Sequence, residues 1–540
     1  MSYDSFFIGR EAELEVLQKR FTGFLEGYRQ NIALIGEAHM GKTALVSQFM
    51  RLCPSRRCIF YTLDVALSLY SELLHHFCYV VLNHFLLQER IIQVEQDSID
   101  VLIRNAEPLL PETVSKVKMM FSFSDNQQQK AIIVHVLNLI ETFLKETNHA
   151  YKFCMVIEEF HQLRHTFHED VYKTLAKFII TQNDVMCVVV SSEPKEADKI
   201  LASDLHLIFG NFERLYVQEF PSAEADVFIQ QHPCAEVLSS LEKKYIVHLT
   251  AGNPFYLNAL LSALSHSVSA AVRTDRTVLF SALHRLLLDK DGVLAAQFRL
   301  KVEQLWKIKN RSSILKTVSL LAEGYQRISD MKLFIKNAPE IKQHLNKIVE
   351  AGIAVQSGHV YRIKDQLLLF WINHVFKPGK LYTEASGLRE KIFYERLQEA
   401  FDTFCTSVTK ENITRIMDLF SSFKGDTVYR EQKKALRLPH LEKVRLLRTM
   451  NEGSNRCFIV GEGNDILIAA LKETQLEEQD VLDFQQQSTV LNNRNVKKCI
   501  VTLENYTESA KFVAKEHSIN LWGKEDINFL LRLYNKPVLL

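Results

Sequence analysis

Residues 36–43, Gly36-Glu37-Ala38-His39-Met40-Gly41-Lys42-Thr43, have the spacing G-x-x-x-x-G-K-[ST]. An apolar run precedes them at 31–35 and a helical pattern follows, the strand, loop and helix order in which this spacing binds phosphate. The glycines let the backbone curl, so that successive N–H groups through Ala44 and the start of the helix face one anion. Lys42 would neutralise the β- and γ-phosphates of a nucleotide, and Thr43 would offer its hydroxyl to a Mg²⁺ ion bridging them. With 18 glycines in 540 residues, a chance match is expected on the order of 0.005 times in the chain.

Such a loop needs a carboxylate on a neighbouring strand. The apolar run 153–157 ends in Glu158-Glu159, which reads as that acidic pair, or more plainly as two surface glutamates at a strand end. In the first reading Glu158 lies near the metal and Glu159 polarises the attacking water as general base. The shorter Asp is the commoner residue at the first position, so Glu158 predicts slow turnover or a displaced metal. The run 186–192 ends in Ser191-Ser192, placed to touch a γ-phosphate or the attacking water, or simply to end a strand in a turn. His161, His165 and His168 read as a helix surface, because a metal site would need further acidic or thiolate ligands.

These groups must be held by a sheet. Short apolar runs at 31–35, 59–63, 152–157, 186–192 and 213–217 alternate with helical patterns, which predicts the α/β class: a mainly parallel sheet, helices on both faces, each strand buried on both sides. The segment 64–150 reads as helical elaboration, and 222–309 as a helical subdomain interrupted at Ala251-Gly252-Asn253-Pro254. Residues 312–363 give helix, short helix, longer helix and two strands around Ser357-Gly358, the order of a winged helix. After Pro378-Gly379 come helices to about 423, a basic stretch at 433–448, and an α/β tail with strands at 456–460, 465–471, 498–503 and 518–522. The expected domains are 1–221, 222–309, 310–376, a helical connector 377–444, and 445–540.

Composition bounds the rest. At 47 % hydrophobic and 24 % charged, with net charge +1 from 65 basic and 64 acidic residues, the chain reads as a soluble globular protein without a whole-chain footprint for nucleic acid or an anionic membrane. The N-terminus has no basic region followed by an apolar run, so no secretory signal is expected. The most apolar stretch, 73–87, carries three histidines and an asparagine and is too short for a span, so it reads as a buried helix and no membrane partner is expected. The nine cysteines are scattered without a C-x-x-C pair, as in reduced core thiols. The expected compartment is the cytoplasm.

Four strings resemble the archaeal-type P-loop ATPases of the STAND class, relatives of AAA+ proteins found in archaea and bacteria. Phe7-Ile8-Gly9-Arg10-Glu11-Ala12-Glu13-Leu14 is similar to the F-x-G-R-x-x-E-L box that packs near adenine in that family. Glu159-Phe160-His161-Gln162-Leu163 resembles its E-F-Q-x-L string after the phosphate loop and acidic strand. Gly252-Asn253-Pro254-Phe255-Tyr256-Leu257 resembles G-N-P-x-Y-L, whose proline region approaches the nucleotide. Tyr361 to Trp371, including Asp365 and Phe370, is similar to Y-x-I-x-D-x-L-x-x-F-W at the end of a winged helix. The resemblance covers about residues 6–376 and implies a switch controlled by ATP, ADP and Mg²⁺, with Gly9, Arg10 and Pro254 beside the nucleotide. Arg10, Arg214 and Arg299 are candidate arginine fingers with no motif to choose among them.

The tail, 445–540, resembles the restriction-endonuclease-like PD-(D/E)XK fold. Its triplet position reads Ala470-Leu471-Lys472, with Asp465 on the same strand. Ala470 cannot ligate a metal, so an inactive nuclease-like domain is expected. DNA contact would fall on Lys342, Gln343, Asn346 and Lys347, and on Lys433, Lys434, Arg437, Lys443, Arg445 and Arg448. A protein partner, DNA and further copies of the chain are all compatible with such a switch. The alternatives are a DNA-binding regulator with a structural nucleotide and, further off, an active Mg²⁺-dependent nuclease.

Overall fold

A computed structural model describes residues 7–65, 70–93, 98–122, 131–167, 170–206, 212–268, 276–305, 311–377, 386–430, 435–451, 454–489 and 496–539. His168, Pro378, Gly379, Lys433 and Lys434 lie outside them. The chain divides into two compact units, Met1–Glu224 with Asn253–Phe255, and Ala225–Gly252 with Tyr256–Leu540.

Runs of apolar residues with no polar face can only be buried on both sides, and the first unit does this with a parallel sheet. Its strands are β1 (Asn31–Ile35), β2 (Cys58–Asp64), β3 (Lys152–Glu158), β4 (Val185–Ser191) and β5 (Phe212–Tyr216), in the order β2-β3-β4-β1-β5. Side chains alternate across the sheet. Ile32, Leu34, Cys154, Val156 and Val188 enter one core, and Ala33, Ile35, Phe153, Met155, Ile157 and Val189 the other. The strand β5 departs from the expectation: it is an edge of the sheet, and its Arg214 and Tyr216 are exposed, both bonding Asp198 on the helix Pro194–Ser203 instead of entering a core.

Between β2 and β3 the helices Tyr70–Gln88, Ile99–Ala106, Pro111–Phe121 and Ile132–Glu146 supply much of the second core, including Leu74, Phe77, Leu82, Val114 and Phe143. Among the described residues no helix is long and apolar enough to cross a membrane. All the cysteines are free, with Cys58, Cys78, Cys154, Cys187, Cys234 and Cys499 buried.

In the second unit, helices Arg311–Ala322, Ile328–Met331 and Ala338–Glu350 precede an antiparallel hairpin of β6 (Ala354–Ser357) and β7 (Val360–Ile363). Helices Ser386–Val408 and Asn412–Phe420 lead to the short pair β8 (Thr427–Val428) and β9 (Leu436–Arg437). A mixed sheet closes the chain: β10 (Leu441–Asn451), β11 (Ser454–Gly463) and β12 (Ile466–Lys472) are antiparallel, and β13 (Val496–Thr502) and β14 (Ile519–Trp522) continue in parallel. The connector is therefore helical only to Phe420, and the second half of the basic stretch, with Lys443, Arg445 and Arg448, lies in β10, which starts ahead of the expected boundary at 445. Its apolar side is sparse, with Leu441 buried and Val444 and Leu446 resting on the core, so the interleaved Lys and Arg concealed a strand.

The hairpin is sealed to the tail within this unit. Gly358 has φ +60°, and a Cβ there would lie 1.7 Å from the Thr427 carbonyl oxygen. The Ser357 hydroxyl donates to the Tyr429 carbonyl and accepts from its N–H, each at 2.9 Å. Nearby, the Arg327 Nε donates to Asp426 Oδ1 at 2.7 Å and the Tyr534 hydroxyl to Asp426 Oδ2 at 2.9 Å. Burial pushes the Asp426 carboxyl up, but Arg327 and Tyr534 outweigh it and hold it below its ordinary value. Removing one partner of such a pair strands the other charge in the interior. Arg327→Met is expected to destabilise the second unit by about 3 kcal/mol, measured as a lowered urea midpoint.

Candidate nucleotide site

The sheet order decides what faces the loop 36–43. The strand β4 lies between β1 and β3, and Ile35 pairs with Ser191 while Ile157 pairs with Val189. The carboxyl ends of these strands therefore carry, in a row, the loop, the two serines and the two glutamates. That edge is where open α/β sheets bind ligands.

Close packing and backbone strain shape the loop. A Cβ on Gly36 would lie 2.3 Å from the Val217 carbonyl oxygen, so the residue leaving β1 must be glycine. His39 and Gly41 have φ of 67° and 82°, and Gly41 caps the helix Lys42–Leu52. Glu37, Ala38, His39, Thr43 and Ala44 are exposed at the crest, whereas Met40 and Lys42 are buried. The Lys42 ammonium donates to the Glu37 carbonyl at 2.7 Å. Burial lowers its pKa, with Glu159 and Glu158 opposing.

Glu158, only 7 % exposed, is pushed up to about 7, chiefly by burial and further by Glu159 and Asp64, with the neighbouring Thr43 hydroxyl and Lys42 opposing. Its Oε1 is buried without a partner. An orphaned carboxylate oxygen beside a threonine hydroxyl fits a divalent cation. Among the described residues no three His, Cys, Asp or Glu side chains gather around a metal position, so a cation here would take further ligands from phosphate and water, as Mg²⁺ commonly does.

Glu159 sits in a left-handed turn at φ 51°. Its Oε2 accepts from the Ser192 N–H at 3.1 Å and the Ser192 hydroxyl at 2.7 Å, and His161 Nδ1 lies 3.4 Å away. His161 Nδ1 is also 3.0 Å from the Ser191 hydroxyl, which accepts from the Glu193 N–H. Expected on a helix surface, His161 is instead 10 % exposed, on the turn Phe160–Gln162, and burial lowers its pKa. His165 is exposed as expected. The clue in the sequence was the position of His161 two residues after Glu159, which a search for metal ligands alone passes over.

Arg10 is 6 % exposed and braces the loop from behind. Its guanidinium donates to the Met40 carbonyl at 3.4 Å and to the Gln218 carbonyl, and lies 4.8 Å above the Phe220 ring. Gly9, at φ 73°, packs on the Glu224 carboxylate, a residue that no motif singled out. Asn253 Oδ1 accepts from the Phe255 N–H at 3.0 Å, and the Phe255 ring stacks on His39 at 4.6 Å. Pro254, between them, thus adjoins the loop. Arg214 pairs with Asp198 at 3.1 Å, and Arg299 donates to the Lys290 carbonyl at 2.6 Å, so each of the three candidate fingers is engaged within its own unit.

Residues 7–176 match the family of AAA ATPase domains, which indicates ATP binding by this part of the chain. No curated protein matches the sequence. Similar solved structures include the Walker-type ATPase Paby2304 of Pyrococcus abyssi, at 15% identity over 68% of this chain and 96% of that one, TM-score 0.45. Others are the RuvB Holliday junction branch migration motor of Thermotoga maritima, 12% identical over 69% and 97%, TM-score 0.34, and the ORC1 protein of Aeropyrum pernix in complex with DNA, 12% identical over 74% and 94%, TM-score 0.35. Likenesses of this size bear on neither function nor domain placement.

The raised Glu158 carboxyl has a measurable sign. Its proton is held more tightly in the folded chain than at the ordinary 4.5, so this contribution to stability is complete below about pH 4.5 and is lost as pH rises through 7. Glu158→Gln, neutral throughout, is expected to gain stability over the native chain between pH 5 and 8, by up to roughly 3 kcal/mol. Denaturant titrations at the two pH values measure it.

Proposed function

We propose that this chain is an ATP-hydrolysing conformational switch of the STAND type, acting on a protein or DNA partner. The observation that carries the reading is the buried carboxylate of Glu158, whose Oε1 has no partner, at the end of the acidic strand that shares its sheet edge with the phosphate loop. The loop N–H groups and Lys42 bind the β- and γ-phosphates. Glu159 orients and deprotonates the attacking water, while Ser192 and His161 fix where its carboxylate points. Mg²⁺, held by Thr43 and Glu158, would neutralise charge on the phosphates. ATP and ADP then act through their different affinities for two conformations.

The other parts are assigned by the same reading. Residues 310–376 act as a winged helix and the tail as an inactive nuclease-like domain, retained for packing or binding. Lys472 pairs with Asp480 at 2.8 Å and Asp465 with Lys497 at 2.6 Å, which supports inactivity, since the two residues a nuclease would need are turned to other partners. A DNA-binding regulator is favoured only by the exposure of Lys342, Gln343 and Asn346. Against it stand the closure of Gly358 on Thr427, where a wing would meet DNA, and the pairing of Arg445 with Glu462 at 2.6 Å.

Two measurements separate these readings. Lys42→Ala is expected to weaken ATP binding about 100-fold by losing a charge-assisted contact, and Glu159→Gln to keep binding while phosphate release falls about 10²–10⁴-fold. Unchanged turnover in both would sink the hydrolytic reading. A fluorescent DNA duplex is expected to show no anisotropy change at low salt and to stay intact with Mg²⁺. Salt-sensitive binding that disappears in Lys342→Glu would support the regulator instead.

A further inference from the structure

The phosphate loop has two flanks, and their chemistry differs. Toward β4 and β3 lie Ser191, Ser192, Glu158 and Glu159, the groups that act on a terminal phosphate. A nucleotide whose reactive end points there must extend its sugar and base the other way, toward β5, the other neighbour of β1. The chain leaving β5 supplies Val217, Gln218 and Phe220, and Arg10 ties this segment to the loop by bonding both the Met40 and Gln218 carbonyls. Gly9, Arg10, Phe220 and Glu224 thus form the wall of the loop on the base side.

Glu224 is unusual in that wall. Its Oε2 is buried and has no hydrogen-bond partner, a costly state for a carboxylate oxygen. Burial pushes its pKa up, with the adjacent Arg10 opposing. A Cβ on Gly9 would lie 2.5 Å from Oε2 and 3.2 Å from the Phe220 ring, so the glycine leaves room for a carboxylate beside an apolar ring. An anion is a poor neighbour for phosphates, which argues that this acceptor awaits a donor at the far end of the ligand.

We propose that Glu224 reads the base: Oε2 accepts a hydrogen bond from the exocyclic amino group of adenine and disfavours guanine, whose carbonyl oxygen would face it. This rests on the nucleotide-site reading above and adds its specificity. The phosphates supply affinity common to all nucleotides, and Glu224 distinguishes 6-aminopurines from the rest, as buried polar groups do when the correct partner alone satisfies them.

The test compares ATP, GTP and purine riboside triphosphate, which lacks the amino group, by calorimetric titration of the full-length chain as native protein, Glu224→Gln and Glu224→Ala. The native chain is expected to prefer ATP over the des-amino analogue by about 10-fold or more, the worth of one hydrogen bond to a charged acceptor. Glu224→Ala should reduce that preference to about 2-fold while leaving inorganic triphosphate binding unchanged. Glu224→Gln, nearly isosteric and able to donate to the guanine carbonyl, should raise GTP binding relative to ATP. Thermal melts establish that both variants are folded, and the Gln variant keeps the test decisive if the Ala variant is not. Equal binding of ATP and the des-amino analogue by the native chain, full discrimination between them in folded Glu224→Ala, or an unchanged GTP-to-ATP ratio in folded Glu224→Gln overturns the assignment. A native chain that binds none of the three nucleotides overturns the nucleotide reading, and this assignment with it.

Discussion

Burying the Glu158 carboxylate opposite the Thr43 hydroxyl requires the whole first unit. A carboxyl group does not remain at 7 % exposure unless the strands around it are rigid, because solvation would draw it out. Rigidity comes from β3 and β4, whose alternate residues fill separate cores on the two faces. It also requires β4 between β1 and β3, since that insertion sets the lateral distance from the loop to the acidic pair. The same strand ends in Ser191 and Ser192, so one element spaces the glutamates and supplies the donors that hold Glu159.

How much of this could be read in advance depended on how local the signal was. The loop 36–43 and the strands β1 to β4 carry their pattern within a few residues, and they form as expected. The edge strand β5 has the same apolar look, but nothing in its own sequence reveals that one side lacks a neighbour. The strand β10 failed for the opposite reason: alternation with Lys and Arg made a strand look like a charged linker. His161 and Glu224 could not be ranked by motif, because their importance comes from what the fold brings near them. Arg10 was found by its string, yet its guanidinium grips backbone carbonyls of the loop and of the segment after β5.

The second unit shows a different economy. Its hairpin, the Arg327–Asp426–Tyr534 group and the sheet β10–β14 share one interior: Val360 lies in the same core as Ile416, Leu419, Phe420 and Trp522. The hydroxyl of Ser357 bonds both backbone groups of Tyr429 and so ties the hairpin to the segment after β8. Regions that appear as separate domains along the chain are thus folded around common contacts, and the stability of one cannot be assigned without the other.

The return of Asn253–Phe255 to the first unit bears on how the chain can be divided. A fragment ending at Glu224 would contain every strand of the parallel sheet and the entire phosphate loop, and would look complete by length and pattern. It would nonetheless leave the imidazole of His39 without the aromatic ring that lies against it, at a position already held in a left-handed backbone conformation. The nucleotide-binding body is therefore discontinuous in sequence, and a minimal version needs the 253–255 turn delivered to it, in cis through a shortened linker or in trans as a peptide.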